Sequence, residues 1–258
     1  MIKRYLEITR NELKHLLRSK FKVISLILFS SATIFSLNNG YELYKKHTSE
    51  IKIINEDVKS FISSKVKQYE QIESKEIKIP RRDPTSPYWA VRNTSTYAFK
   101  HPSPLMVFSV GQTEQFGYYK KIKNWSTVYD SDLAEEIANP ERLAIGTLDF
   151  GFVFIFLMPM LLIILLFNVG GLEKDLGFDN LIYLNNISKE KWLFFRFLFY
   201  YVLILILVYS LMAPYALISG SITVSTSLLE LYLIILVYTF LWLLIFYIVN
   251  IFGGGSSD

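Results

Sequence analysis

Charged residues are absent from long stretches of this chain. No Asp, Glu, Lys or Arg occurs in the 19 residues between Lys22 and Glu42 or the 23 between Asp149 and Glu173. The same holds for the 33 between Arg196 and Glu230 and the 27 between Glu230 and Asp258. A helix rises about 1.5 Å per residue, so about 20 apolar residues cross a hydrocarbon layer about 30 Å thick. Lipid offers no partner to backbone polar groups, so each run is expected to be helical where it crosses. The third run is too long for one straight crossing. Its tail, Ser219-Gly-Ser-Ile-Thr-Val-Ser-Thr-Ser227, is small and polar and reads as a turn. The pattern therefore predicts four spans, 23–40, 150–172, 194–218 and 228–252, with the turn at 219–227. The first is the least apolar, carrying Ser25, Ser30, Ser31, Thr33 and Ser36. Small hydroxyl residues suit helix packing in a membrane. A cleaved signal peptide is the competing reading of that run, but no small-x-small cleavage pattern follows it cleanly.

Charge sets the expected orientation. Residues 1–22 hold Lys3, Arg4, Arg10, Lys14, Arg18, Lys20 and Lys22 against Glu7 and Glu12, a net charge of +5. The connection between spans two and three holds Lys174, Lys189, Lys191 and Arg196, and that between spans three and four holds no Lys or Arg. Lys and Arg in short loops favour the cytoplasmic side. The N-terminus, the segment 173–193 and the Gly/Ser end 253–258 are thus expected inside, and residues 41–149 outside. Within 1–22, Ile2, Tyr5, Leu6, Leu13, Leu16 and Leu17 can share a helix face with the cations opposite. Such a helix can lie on the inner leaflet, or it can extend the first span with a solvated charged face.

The 109 residues 41–149 carry 16 basic and 15 acidic side chains and six of the eight prolines. From about 41 to 78, Ile51, Ile54, Val58, Phe61, Ile62, Val66, Tyr69 and Ile72 recur every three or four residues, which predicts a long amphipathic helix. From Pro80 to about Asn124 the prolines forbid long helices and predict turns and short extended pieces. A short helix is expected from Asp130 or Ser131 to before Asn139-Pro140, and another over Glu141–Asp149. The many aromatics here, Tyr88, Trp89, Tyr97, Phe99 and Tyr119 among them, read as a small core, with a sugar or lipid surface as the alternative.

Composition narrows the chemistry. Hydrophobic residues make up 52% and charged residues 19%, and there is no cysteine. Disulfides, thiolate metal sites and cysteine nucleophiles are therefore excluded. The three histidines are scattered, no P-loop or H-E-x-x-H or G-x-S-x-G occurs, and no acid or histidine sits deep in a span. No catalytic residue, metal, cofactor or nucleic-acid partner is expected of this chain. Pro159 and Pro214 fall inside spans two and three, where a missing helix donor makes them hinge candidates.

The order of segments resembles a known family. Asp83-Pro-Thr-Ser-Pro-Tyr88 precedes His101-Pro-Ser-Pro-Leu-Met-Val-Phe-Ser-Val-Gly-Gln112. Then come Asn139-Pro-Glu-Arg-Leu-Ala-Ile-Gly-Thr-Leu-Asp-Phe150 and Glu173-Lys-Asp-Leu-Gly177. Over nearly the whole chain this resembles the type-2 permease subunits of ABC transporters, in the bacterial branch with a large external domain between its first two spans. The resemblance implies an exporter permease in the bacterial inner membrane. It would work as a homodimer, or as a heterodimer with a related permease, among membrane lipids. A separate ATP-binding subunit would hydrolyse ATP. It also implies that Glu173, Lys174, Asp175 and Gly177, matching an E-x-x-x-G pattern after the second span, contact that ATPase. The chain departs from the family at Phe178, where Thr is frequent, and at Asn185-Asn186, where Pro is usual.

The expected fold is an α-helical polytopic membrane protein with four transmembrane helices, six in the complete protein, plus a mixed α/β or helical extracytoplasmic domain. The competing function is a membrane-anchored scaffold or sensor that transports nothing.

Overall fold

The computed structural model describes residues 2–81, 83–93, 96–111, 118–122, 148–167, 169–170, 177 and 188–252. It is mostly helical. In chain order its elements are α1 (Ile2–Arg18), α2 (Lys20–Glu73), α3 (Pro87–Asn93), β1 (Thr96–Phe99), a 3-10 turn (Pro104–Val107) and β2 (Tyr119–Ile122). After these come α4 (Phe150–Leu166), α5 (Lys189–Ile218), a second 3-10 turn (Ser221–Val224) and α6 (Ser225–Phe252). Two compact units result, one of residues 1–39 with 148–258 and the other of residues 40–147.

In the first unit, α2, α5 and the stretch Ser221–Phe252 are each long and apolar enough to cross a membrane, while α4 is apolar but has 17 residues. Leu193, Phe197, Tyr200, Ile204, Val208, Met212 and Ala216 make one buried stripe along α5 at helical spacing. Its other faces are just as apolar: Ile206, Leu217 and Ile218 are exposed, as are Leu229, Leu233 and Phe252 on α6. Helices apolar on both packed and unpacked faces suit surroundings that are themselves apolar. The hydroxyls that make the first run least apolar are satisfied within their own helix. Ser25, Ser30, Ser31 and Thr33 each donate to the carbonyl four residues back, at 2.8–2.9 Å.

Two side-chain bonds set α2 beside α4. Lys22 Nζ donates to the Leu165 carbonyl at 2.7 Å, and Asn39 Nδ2 donates to the Leu148 carbonyl at 3.3 Å. The paired positions lie 17 residues apart on both strands of chain and run in opposite order, so the two segments are antiparallel and of equal length. That length is about 25 Å at the helical rise. α5 and α6 are also antiparallel. Tyr201 and Tyr209 donate to the Leu236 and Tyr232 carbonyls at 3.2 and 2.8 Å, and Tyr247 donates back to the Glu190 carbonyl at 3.1 Å.

Several element ends differ from the sequence expectation. The leader is not one helix to residue 22. The helix breaks at Ser19, whose carbonyl accepts from Val23 at 3.1 Å to open α2. α4 stops at Leu166, not 172, because Phe167 turns extended (φ −52°, ψ 124°). Leu148 and Asp149 are not helical: Asp149 caps α4, its carboxylate accepting from the Phe152 N–H at 2.8 Å. α5 begins at Lys189, five residues early, and α6 at Ser225, so the turn is shorter than 219–227. Gly220, at φ 73°, provides its left-handed residue. The helices expected after Asp130 and over 141–147 lie outside the described residues.

The second unit contains the rest of α2, which ends at Glu73 rather than 78. Lys75 adopts φ 59°, its N–H reaches the Ile72 carbonyl, and the Glu76 N–H reaches the Gln71 carbonyl at 3.0 Å. These bonds form a Schellman stop. β1 and β2 pair antiparallel with Tyr97 opposite Lys121 and Phe99 opposite Tyr119. Met106, Val107, Phe108 and Val110 are buried around the first 3-10 turn. That turn lies so close to α2 that a Cβ on Gly40 would collide with the Val107 carbonyl. Gly40→Ala is therefore expected to destabilise the unit by about 2 kcal/mol. Thermal unfolding of the purified variant, followed by protease sensitivity in residues 40–111, measures this.

Candidate functional site

The last carbonyls of any helix lack intrahelical donors and carry the negative end of its dipole. At the C-terminal end of α4 one cation meets this need, and a second bonds the turn just beyond it. Lys22, from the first turn of α2, donates to the Leu165 carbonyl at 2.7 Å. Arg196, from the second turn of α5, donates through Nη1 to the Val169 carbonyl at 2.7 Å. Gly170 follows, with Leu193 of α5 so near that an added Cβ would sit 3.2 Å from its Cδ2.

A third helix balances these charges. Glu12 of α1 is buried at 4% exposure, and its Oε1 lies 2.5 Å from Arg196 Nε. Its Oε2 accepts from the fully buried Tyr200 hydroxyl at 3.2 Å, and that hydroxyl accepts from Lys22 Nζ at 3.1 Å. Lys22 also lies over the Tyr200 ring, 5.1 Å from its centre. Helices α1, α2, α4 and α5 therefore converge on one ionic cluster of two cations, one carboxylate and the dipole end of α4. Buried ions of this kind persist only when paired and hydrogen-bonded, and removing one partner leaves the others uncompensated.

The cluster brackets the segment that the family resemblance singles out. That segment leaves from α4 and returns into α5. Gly177 is described and has φ 72°, with open space where a Cβ would be. A non-glycine residue there is strained by its backbone rather than by a neighbour. Glu173, Lys174 and Asp175 lie outside the described residues.

The two hinge candidates are dissimilar. Pro159 is buried within α4, and helix continues on both sides of it. Proline has no N–H to give the carbonyl four residues back, Ile155. The Tyr238 hydroxyl of α6 donates to that carbonyl at 2.8 Å and stands in for the missing bond. Pro159 thus joins α4 to α6. Pro214 is exposed on α5, which also runs through it.

Sequence reasoning counted Glu12 and Arg196 only toward loop charge and missed the cluster. One signal was available. Glu12 falls four residues after Ile8 and four before Leu16, in the middle of an apolar stripe. The packed face of α1 is Ile8, Glu12 and Leu16, with the Tyr5 ring 5.7 Å from that of Phe195. It overlaps the expected apolar face at Tyr5 and Leu16, while Leu6, Leu13 and Leu17 of that face are exposed.

Two expectations follow from this geometry. Glu12→Ala leaves Arg196 without its carboxylate and is expected to cost about 3–5 kcal/mol, while Glu12→Leu with Arg196→Met recovers most of that loss. Denaturant unfolding in detergent measures both. Tyr238→Phe is expected to cost about 1–2 kcal/mol in the native chain and nearly nothing in Pro159→Ala, where the Ile155 carbonyl regains a backbone donor. A double-mutant cycle reads the coupling. No protein-family model, curated protein or solved structure matches this chain.

Proposed function

We propose that this chain is the membrane permease subunit of an ABC exporter in a bacterial inner membrane. It moves a substrate, or transmits force, using ATP hydrolysed by a separate subunit. In this reading the uncharged part of α2, with α4, α5 and α6, makes four crossings. The N-terminus is cytoplasmic and residues 41–149 are extracytoplasmic. The matched antiparallel lengths of residues 22–39 and 148–165 favour counting the short α4 as a crossing beside α2. The basic residues Lys22 and Arg196 and the whole of α1 gather at one end of this unit, the end expected inside.

The observation that carries the proposal is the anchoring of both ends of the segment between α4 and α5. At one end the carbonyls of Leu165 and Val169 are bonded, and at the other Arg196 is paired. A push on that segment meets a joint shared by four helices and is passed to all of them. An isolated loop on a frayed helix end would absorb the same push locally. A coupling element needs the first arrangement. The contact residues proposed for the ATPase remain Glu173, Lys174, Asp175 and Gly177.

The test is recovery of the chain in mild detergent from its native membrane. An ATPase with a P-loop is expected to co-purify. Glu173→Ala is expected to lower ATP turnover of the complex by about ten-fold, roughly the loss of 1.4 kcal/mol of transition-state stabilisation, without changing the chain's unfolding. Gly177→Val, strained by the left-handed backbone, is expected to lower turnover and also to cost about 1–2 kcal/mol of stability. If no ATPase associates, the membrane-anchored scaffold replaces the permease.

A further inference from the structure

The second unit carries a ribbon of two strands, and such a ribbon has two outer edges. One end of it is tied to α2, where the Tyr118 ring stacks on buried His47 with 4.0 Å between centres. Beyond that end Ala98, Tyr119, Lys121 and Ile122 are exposed. The register fixes which backbone groups the ribbon uses. The Lys100 N–H donates to the Tyr118 carbonyl at 2.8 Å, so these two residues form a hydrogen-bonded pair. Antiparallel pairs alternate, so Ala98–Lys120 and Thr96–Ile122 are bonded pairs too. Tyr97–Lys121 and Phe99–Tyr119 are the non-bonded pairs between them, and their N–H and C=O groups point to the outer edges. Among the described residues no backbone bond reaches those edges.

The surrounding sequence is basic. From Pro84 to Tyr129 it holds Arg92, Lys100, Lys120, Lys121 and Lys123 against Glu114 alone. Two of these cations, Lys120 and Lys121, lie on β2 and alternate between its faces. Lys121 is exposed, with its Nζ 5.4 Å from the centre of the Tyr97 ring.

We infer that the outer edge of β2 takes an acidic, extended segment of a partner protein as a third strand, its carboxylates meeting Lys120 and Lys121. The edge groups of Tyr119 and Lys121 ask for alternating donors and acceptors at strand spacing, which an extended backbone offers and a saccharide or lipid headgroup does not. A strand laid there finds a lysine on either face, and opposite charges across neighbouring strands stabilise the pairing. The same lysines disfavour a second copy of this chain, because edge-to-edge pairing of two β2 strands sets lysine against lysine. The inference rests on the second unit alone. Failure to find an ATPase leaves it standing, and failure of this test leaves the proposed function standing.

The full chain in nanodiscs of phosphatidylcholine is titrated against a short fluorescein-labelled peptide of alternating Glu and Val, with empty nanodiscs as the blank. Anisotropy reads binding. Saturable binding is expected for this peptide and none for a Lys/Val counterpart. Lys120→Glu with Lys121→Glu is expected to weaken the acidic peptide about ten-fold and to admit the Lys/Val peptide, a gain that shows the variant folded. Lys120→Gln with Lys121→Gln gives the loss without the reversal. Methylating alternate backbone nitrogens of the Glu/Val peptide removes its edge donors and keeps its charge; this is expected to cost about ten-fold. No binding of the Glu/Val peptide overturns the inference. Equal binding of the methylated peptide overturns strand addition. Binding indifferent to both lysine variants overturns the acidic assignment. An oligomannuronate that displaces the peptide as well as unlabelled peptide does assigns the edge to an anionic glycan. Peptide binding lost when two copies share a nanodisc assigns it to the chain itself, and either result overturns the inference.

Discussion

A single carboxylate, Glu12, holds the first unit together at one end. Its oxygens take Arg196 and Tyr200, and through these two side chains the end of α4 and the start of α2 are fixed. The arrangement has a simple electrostatic reason. The end of α4 concentrates carbonyl dipoles, which attract cations, and two cations in a buried place repel each other unless an anion joins them. Lys22 and Arg196 supply the cations. Among the described residues the anion comes from α1, so the docking of α1 satisfies the ends of the other helices.

Away from that end the helices are held differently. Where the surroundings of such apolar helices are themselves apolar, no hydrophobic force favours contact, and packing and hydrogen bonds must suffice. Tyrosine hydroxyls serve this purpose in a regular way, from α5 to α6 at Tyr201 and Tyr209, and from α6 to α5 and α4 at Tyr247 and Tyr238. Tyrosine suits the task, since its ring packs as a hydrophobe while its hydroxyl reaches a carbonyl on the next helix. Three of these carbonyls sit in continuous helix. The fourth, at Ile155, lacks a backbone donor because of Pro159. A proline that looks like a hinge in isolation becomes a fastened point once Tyr238 is placed against it.

Much of this was legible from residue order. The first, third and fourth uncharged runs fall in helices long and apolar enough to cross a membrane, and the second in the 17-residue α4. The long helix does follow the first run, and the turn expected at 219–227 falls on a short turn before α6. The misses share a cause. The stop of α2 at Glu73 uses Lys75 in a left-handed conformation that glycine normally marks, so no residue type announced it. α4 ends at Leu166, where Phe167 turns extended and Lys22, from far along the chain, takes the Leu165 carbonyl. Glu12 enters the sequence reading only through the net charge of residues 1–22; buried carboxylates are rare unless paired, and its partner lies far along the chain.

The sequence by itself determined which segments are apolar, how long they are and where charge gathers. Those properties follow from local composition and from the fixed rise of a helix. Only the tertiary structure decided which face of α1 is packed, where α4 ends and what satisfies the Ile155 carbonyl. Each of those outcomes depends on groups 83 to 188 residues apart in the chain, brought within hydrogen-bond reach by helix packing. A pairing over that distance leaves no period and no local motif to read.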